Sequence, residues 1–186
     1  MGSIGGRTEE TGSINFPFKG TIIQSKPKIL SQKAFDNQSK GKQLIYRGIA
    51  PNEQDGMSSE DVMNDTLSSS EIYKGKHAHG YGIYFTTKKE SALTKYAENE
   101  NTILTAFINS KAKTITEIDL HKLYRKEVGK PKNNLEMNAF ALSKGYNVVK
   151  VEGGPSSSKN SVANKGEKGE DYYIVLDKKV LTIRKP

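Results

Sequence analysis

The segment from Gly80 to Thr87 reads GYGIYFTT and combines residue types that can shape a binding pocket. Its two glycines, Gly80 and Gly82, allow the backbone to approach a ligand closely or to adopt positive φ. An aromatic pair and two threonine hydroxyls follow directly. The third glycine and the preceding strand of a dinucleotide-binding Rossmann loop are missing, so that motif is excluded. Taken alone, the segment is more often an ordinary turn that enters a strand.

Arg47 is the only charged residue in the apolar segment 44–49. A guanidinium among apolar side chains needs a partner, because burying an unpaired charge is costly. The partner can be a structural carboxylate or a ligand phosphate held by two parallel hydrogen bonds. The sequence leaves both interpretations open.

Two carboxylates, Glu170 and Asp171, stand directly before the strand-like segment 172–177. Carboxylates at the mouth of a strand can stabilise a developing positive charge, although they are more often solvated loop ends. In a strand, Glu170 and Tyr172 share one face while Asp171 points to the other. A bulge at the loop–strand junction could turn Asp171 inward. Either carboxylate is therefore a candidate acid.

Composition excludes several classes of protein. The 186 residues suit one compact domain, and the absence of cysteine excludes disulfide scaffolds, thiol nucleophiles and Cys-based zinc sites. No apolar run approaches the roughly 20 residues of a membrane-spanning helix, so no membrane span is expected. The net charge of +8 favours anionic partners, although the lysines are scattered along the chain. His77 and His79 lack acidic neighbours and are weak metal ligands, so no metal is expected.

The elements that must position these residues are short strands and a few helices. Residues 1–20 are rich in Gly, Ser and Thr and predict a flexible leader before one domain at 21–186. Hydrophobic period and turn residues predict strands at 44–49, 80–87, 102–108, 113–118, 146–151, 172–177 and 180–184, and helices at 31–37, from 58 onward, and at 88–98, 120–128 and 135–144. A long Gly/Ser/Lys loop occupies 153–169. The pattern is typical of an α+β domain.

The order of these motifs resembles the ADP-ribosyltransferase superfamily over about residues 42–183. The segment 82–85, followed by Ser91-Ala92 and Tyr96, looks like the nicotinamide-pocket segment of the diphtheria-toxin and poly-ADP-ribose polymerase branch. The segment 46–48 looks like the first-strand arginine of the arginine-serine-glutamate toxin branch. The mixture is most similar to bacterial and phage-associated toxin domains. The resemblance implies an α+β fold of two packed, antiparallel-rich sheets with a few flanking helices around an NAD cleft.

The resemblance also implies roles for individual residues toward NAD as substrate. Arg47 would hold an NAD phosphate, with the Gly48 backbone near the nicotinamide amide. Tyr84 would stack on the nicotinamide ring and count among the catalytic residues, with Tyr96 as a second aromatic wall. The remaining implied NAD-binding residues are Gly82, Thr86, Thr87 and His79.

The sequence departs from the family pattern at the catalytic acid. Alignment of the last strand places Tyr172 where the family has its catalytic glutamate, so Glu170 and Asp171 are equal candidates for that role. A Glu-x-Glu pair is missing, and arginine is therefore not supported as the modified residue.

The expected function is a toxin or effector that cleaves NAD, releases nicotinamide and transfers ADP-ribose to a macromolecule of a host or competitor. The acceptor would be a protein, or a nucleic acid in keeping with the charge of +8. Such a toxin would be secreted or injected, would act in the cytoplasm of a target cell, and could have an immunity or antitoxin protein. Three alternatives stay open: an NAD glycohydrolase without acceptor, a catalytically degenerate fold that acts as a binding module, and a basic nucleic-acid-binding domain or ribonuclease.

Overall fold

The computed structural model of the chain describes residues 25–68, 82–131, 134–153 and 169–186. The predicted leader at 1–20, His77, His79 and most of the predicted loop at 153–169 lie outside the described residues. In the ranges that are described, no helix combines the length and the apolar character needed to cross a bilayer.

Short strands and helices make up the described chain in an α+β arrangement, as predicted. The strands are β1 (Lys28–Leu30), β2 (Ile45–Gly48), β3 (Ile83–Thr86), β4 (Ile103–Ile108), β5 (Thr114–Thr116), β6 (Val148–Val151), β7 (Tyr172–Val175) and β8 (Leu181–Arg184). The helices are α1 (Gln32–Gln38), α2 (Ser59–Ser68), α3 (Lys89–Tyr96), α4 (Glu117–Glu127) and α5 (Asn134–Ser143). Within the described ranges, 3-10 turns cover Glu100–Thr102 and Lys178–Val180.

The strands form one mostly antiparallel sheet in the order β1-β8-β4-β2-β3-β7-β6-β5. The expected pair of packed sheets is therefore wrong for the described strands. The strands form one sheet rather than two because β2 and β3, at its centre, are still paired. A single register pair, Tyr46 with Thr86, joins them. Four pairs join β2 to β4, and four join β3 to β7. Two four-stranded halves thus meet at one narrow contact.

Alternation of side chains along the strands builds a core on each face of this sheet. On one face, Ile83 and Phe85 of β3 pack with Met63 and Leu67 of α2. On the other face, Tyr172 and Ile174 of β7 pack with residues of α4 and α5, among them Leu120, Tyr124, Met137 and Phe140. Below, these are called the α2 face and the α4–α5 face. Because both faces of β3 and β7 are covered, their residues are held in fixed positions.

Helix α4 begins earlier than the sequence predicted. The strand expected over 113–118 ends at Thr116, whose hydroxyl accepts a hydrogen bond from the backbone N–H of Asp119 at 3.1 Å. This N-cap satisfies a free donor of the first helical turn and turns the chain out of the sheet. The helix then runs from Glu117 rather than from residue 120.

Candidate functional site

Glu170 lies two residues before β7 and its carboxylate is completely buried. The hydroxyl of Thr86 on β3 donates a hydrogen bond to one carboxylate oxygen. The ammonium group of Lys95 on α3 lies 3.8 Å from the other oxygen, and the Lys95 side chain is 34% exposed. A buried carboxylate requires such partners, because desolvating an unpaired charge costs several kcal/mol. Strands β3 and β7 and helix α3 thus converge on this one charged group.

Two tyrosines stand beside the Glu170 carboxylate. Tyr172 pairs directly with Thr86 across the β3–β7 ladder, so its ring projects on the same face as Glu170. Its hydroxyl is buried and makes no hydrogen bond of ordinary geometry with any described residue. Burial, together with the neighbouring Tyr96 and Glu170, raises the pKa of Tyr172 above its ordinary value. Burial also raises the pKa of Tyr96. Both phenols are therefore neutral at physiological pH and able to donate hydrogen bonds.

The carboxylate lies close to the narrow contact between the two halves of the sheet. Beyond the Tyr46–Thr86 pair, toward Gly48 of β2 and Tyr84 of β3, the two strands are no longer paired. The N–H of Ile49 points toward β4, where it donates to Thr102 O at 2.8 Å. Because the polar backbone groups of a strand alternate in direction, those of Gly48 point toward β3. This segment of β2, opposite Tyr84 of β3, is the β2–β3 gap.

Arg47 spans the β2–β3 gap. Its register with Leu104 and the alternation of β2 place its side chain on the α2 face, opposite to that of Glu170. The guanidinium Nη1 nevertheless reaches across and donates to the backbone oxygen of Tyr84 at 3.3 Å. The structure therefore brings Arg47 to the gap and not into contact with the carboxylate.

Helix α3 packs directly on Gly48. A Cβ atom at this position would overlap backbone atoms of Ala92, Tyr96 and Ala97. The absence of a side chain is thus what lets the end of α3 approach β2, and it sets the position of Lys95 and Tyr96 over the sheet.

Asp171 faces away from Glu170, as strand alternation predicted. Its carboxylate accepts a hydrogen bond from the N–H of Gly153 at 3.1 Å and lies 3.2 Å from the ammonium group of Lys150. Its backbone oxygen accepts a hydrogen bond from the N–H of Thr87 at 3.0 Å, and its N–H donates to the hydroxyl of Thr87 at 3.1 Å. The bulge that would turn Asp171 inward is not formed, and Thr87 contributes a ladder contact rather than a contact to Glu170.

Tyr84 and Gly82 lie further along β3. The Tyr84 ring is half-buried against the α4–α5 core, on the face that carries Thr86 and Glu170. Gly82 has a φ of +130°, in the region that side chains rarely adopt. A Cβ atom there would lie 2.5 Å from a methyl carbon of Ile174 and 2.9 Å from the carbonyl oxygen of Val175.

We expect Gly82→Ala to destabilise the fold by about 2–4 kcal/mol, since backbone strain and overpacking each cost about 1–3 kcal/mol. Gly129 offers a matched control, because its φ is +115° and a Cβ atom there would meet nothing within 4 Å. The difference in urea midpoint between Gly82→Ala and Gly129→Ala isolates the packing contribution. Equal urea midpoints for the two variants would show that close packing of β7 against Gly82 does not contribute to the loss of stability.

Sequence reasoning missed Lys95 as a partner of Glu170. The sequence offered one indication. Lys95 directly precedes Tyr96 on a predicted helix and lies four residues after Ser91, on the same helix face, and Ser91 is buried in the structure. Lys95 reaches Glu170, 75 positions later in the chain, because α3 packs on Gly48. The hydrophobic period of the helix does not predict this packing.

The described residues contain no group of three or more His, Asp or Glu side chains placed to hold a metal ion. No protein-family model and no curated protein matches the chain.

Proposed function

We propose that the chain is an ADP-ribosyltransferase that cleaves NAD, releases nicotinamide and transfers ADP-ribose to a macromolecule. The observation that carries this proposal is the buried Glu170 carboxylate, which lies beside two neutral tyrosines and close to a gap that an arginine spans. A desolvated carboxylate next to a cleft is suited to stabilising a positive charge that develops in a bound ligand.

The β2–β3 gap offers complementary groups to an extended dinucleotide. Arg47 carries a planar guanidinium that can hold the pyrophosphate by parallel hydrogen bonds. The backbone N–H and C=O of Gly48 point into the gap and match the donor and acceptor of the nicotinamide amide. The rings of Tyr84 and Tyr96 lie on the face that also carries Glu170 and would flank the leaving group.

The reaction breaks the bond between ribose C1′ and the nicotinamide nitrogen, and the bonding electron pair leaves with nicotinamide. Glu170 stabilises the oxocarbenium-like charge on the ribose from its side of the sheet. The acceptor's nucleophilic atom then bonds to C1′ and releases its proton to Glu170 or solvent. Glu170 is preferred over Asp171 for this role because Asp171 is on the opposite face, engaged by Lys150 and Gly153.

A binding module without catalysis is the second candidate function. Complete burial of Glu170, its contacts with Thr86 and Lys95, and a tyrosine at position 172 favour it. In that case the fold would bind a partner without catalysis, and any NAD that occupied the gap would stay intact. An NAD glycohydrolase would use the same residues with water as acceptor.

The proposed ADP-ribosyltransferase-like fold is supported by the α+β arrangement and by two four-stranded halves that meet at one pair, with one continuous sheet in place of two separate ones. The proposed context is that of a secreted or injected toxin or effector that acts in the cytoplasm of a target cell and is held in check by an immunity protein.

The test is nicotinamide release from NAD by the full chain, with and without a cell lysate as the source of acceptors. Release together with transfer of labelled ADP-ribose into lysate macromolecules supports the transferase. Release at the same rate in buffer alone supports the glycohydrolase. No release in either condition supports the binding module, and the absence of NAD binding overturns both the transferase and the glycohydrolase.

A further inference from the structure

Positive charge is concentrated at the edge of the sheet that lies farthest from Glu170. The sheet ends there in β1, on which α1 packs. The segment 26–42 carries five lysines and a single acidic residue, Asp36. The lysines, all exposed, are Lys26, Lys28, Lys33, Lys40 and Lys42.

The fold adds two cations from the other end of the chain. Strand β1 pairs in parallel with β8, which places Leu30 opposite Arg184. The N–H of Lys185 donates to Leu30 O at 2.8 Å, so Lys185 lies at the same end of β1. The five lysines together with Arg184 and Lys185 are called the basic edge.

The charges of the basic edge are not neutralised within the described part of the chain. None of the seven side chains forms an ion pair with a described acidic residue. Lys28 bonds the neutral Gln38 at 3.3 Å, and the ammonium group of Lys42 lies 4.1 Å from the centre of the Phe107 ring. By contrast, the segment 51–68, which includes α2, carries five acidic residues and no basic one. The basic edge and the segment 51–68 therefore carry opposite net charge, and the positive field of the basic edge attracts an anionic partner.

The distribution of these cations fits an extended, repeating anion. Lys26, just before β1, and Lys28, at its start, are two residues apart, about 6.6 Å along the chain. The other five lie on α1, in the segment that follows α1, and at the end of β8. A phosphate backbone offers such a row of charges, and lysine contacts it without reading bases. Among the described residues around the basic edge, Ile29 is the only large apolar side chain that is exposed, and these residues therefore form no apolar ridge of the kind found on lipid-binding surfaces. We propose that the basic edge binds the phosphate backbone of a nucleic acid.

The proposal does not depend on NAD chemistry and is tested with the full chain and a fluorescein-labelled, mixed-sequence RNA of 20 nucleotides. The patch variant is Lys28→Gln, Lys33→Gln and Lys185→Gln. Loss of three phosphate contacts should make the negative slope of log K against log salt shallower by about 2 and weaken binding at least tenfold at about 0.1 M salt. Fluorescence anisotropy over a salt series measures both quantities.

The matched control removes three exposed lysines elsewhere and causes the same change in net charge. It consists of Lys111→Gln, Lys126→Gln and Lys130→Gln. We expect this control to bind RNA with a slope and Kd close to those of the wild type. Circular dichroism verifies that both triple variants fold, which the exposure of every replaced side chain favours.

Three results would overturn the proposal. The first is no RNA binding by the wild type at low salt, and the second is an equal loss in the patch variant and the control. The third is a preference for another anion, seen when poly-glutamate or phosphatidylserine vesicles compete better than unlabelled RNA of equal charge. A selective loss in the patch variant, with RNA as the strongest competitor, supports a nucleic-acid surface.

Discussion

Glu170→Gln is expected to reduce the rate of nicotinamide release by about 10²- to 10³-fold, with NAD affinity changed less than about threefold. Glutamine keeps the size of the side chain and an oxygen that can accept a hydrogen bond from the Thr86 hydroxyl, but it removes the negative charge. Stabilisation of the ribose cation is needed in the transition state and not in the ground state, so the loss falls on kcat. Steady-state kinetics with a separate NAD binding measurement distinguish the two effects.

Asp171→Asn is the matched control for this prediction, because it removes the neighbouring carboxylate from the opposite face of the strand. Its ion pair with Lys150 is partly exposed, and such pairs contribute about 1 kcal/mol or less. We expect kcat within about threefold of the wild-type value. A larger loss in Asp171→Asn than in Glu170→Gln would show that Asp171, not Glu170, is the acid. Equal mild losses would show that neither carboxylate is the acid.

Local pattern was sufficient to predict the strands that carry this site. Alternation placed Glu170 and Tyr172 on one face and Asp171 on the other, and the contacts of all three confirm it. The predicted strands at 44–49, 80–87 and 172–177 contain β2, β3 and β7, with ends that differ by at most three residues. Strands that are buried on both faces need mostly apolar residues. The resulting apolar runs could therefore be recognised in the sequence.

Features that depend on distant pairing could not be predicted in the same way. Strand β1 is three residues long and exists through its parallel pairing with β8, more than 150 residues away. The single pair between β2 and β3, which creates the gap, follows from how the two half-sheets and α3 pack and leaves no periodic signal. The same holds for the basic edge, because Lys28 and Arg184 become neighbours only through the β1–β8 pairing.

Arg47→Ala is expected to weaken NAD binding by roughly 10- to 150-fold, the equivalent of one or more charge-assisted hydrogen bonds at about 1.5–3 kcal/mol each. The guanidinium already donates to Tyr84 O at the gap, where a pyrophosphate would offer stronger acceptors. Isothermal titration with NAD measures the effect, and Arg47→Lys should recover only part of the affinity because it keeps the charge and loses the planar fork.

Arg184→Ala removes an arginine of similar exposure on β8, outside the gap, and should leave NAD affinity unchanged. Arg47→Ala also removes the hydrogen bond to Tyr84 O, so a stability loss of about 1 kcal/mol is expected from the fold alone. A variant that loses about 1 kcal/mol of stability is still almost entirely folded, and only the folded fraction binds NAD. The stability loss therefore does not account for a 10-fold or larger change in Kd. Wild-type NAD affinity in Arg47→Ala would place the pyrophosphate elsewhere, and the guanidinium would then serve to hold the two half-sheets together across their narrow contact.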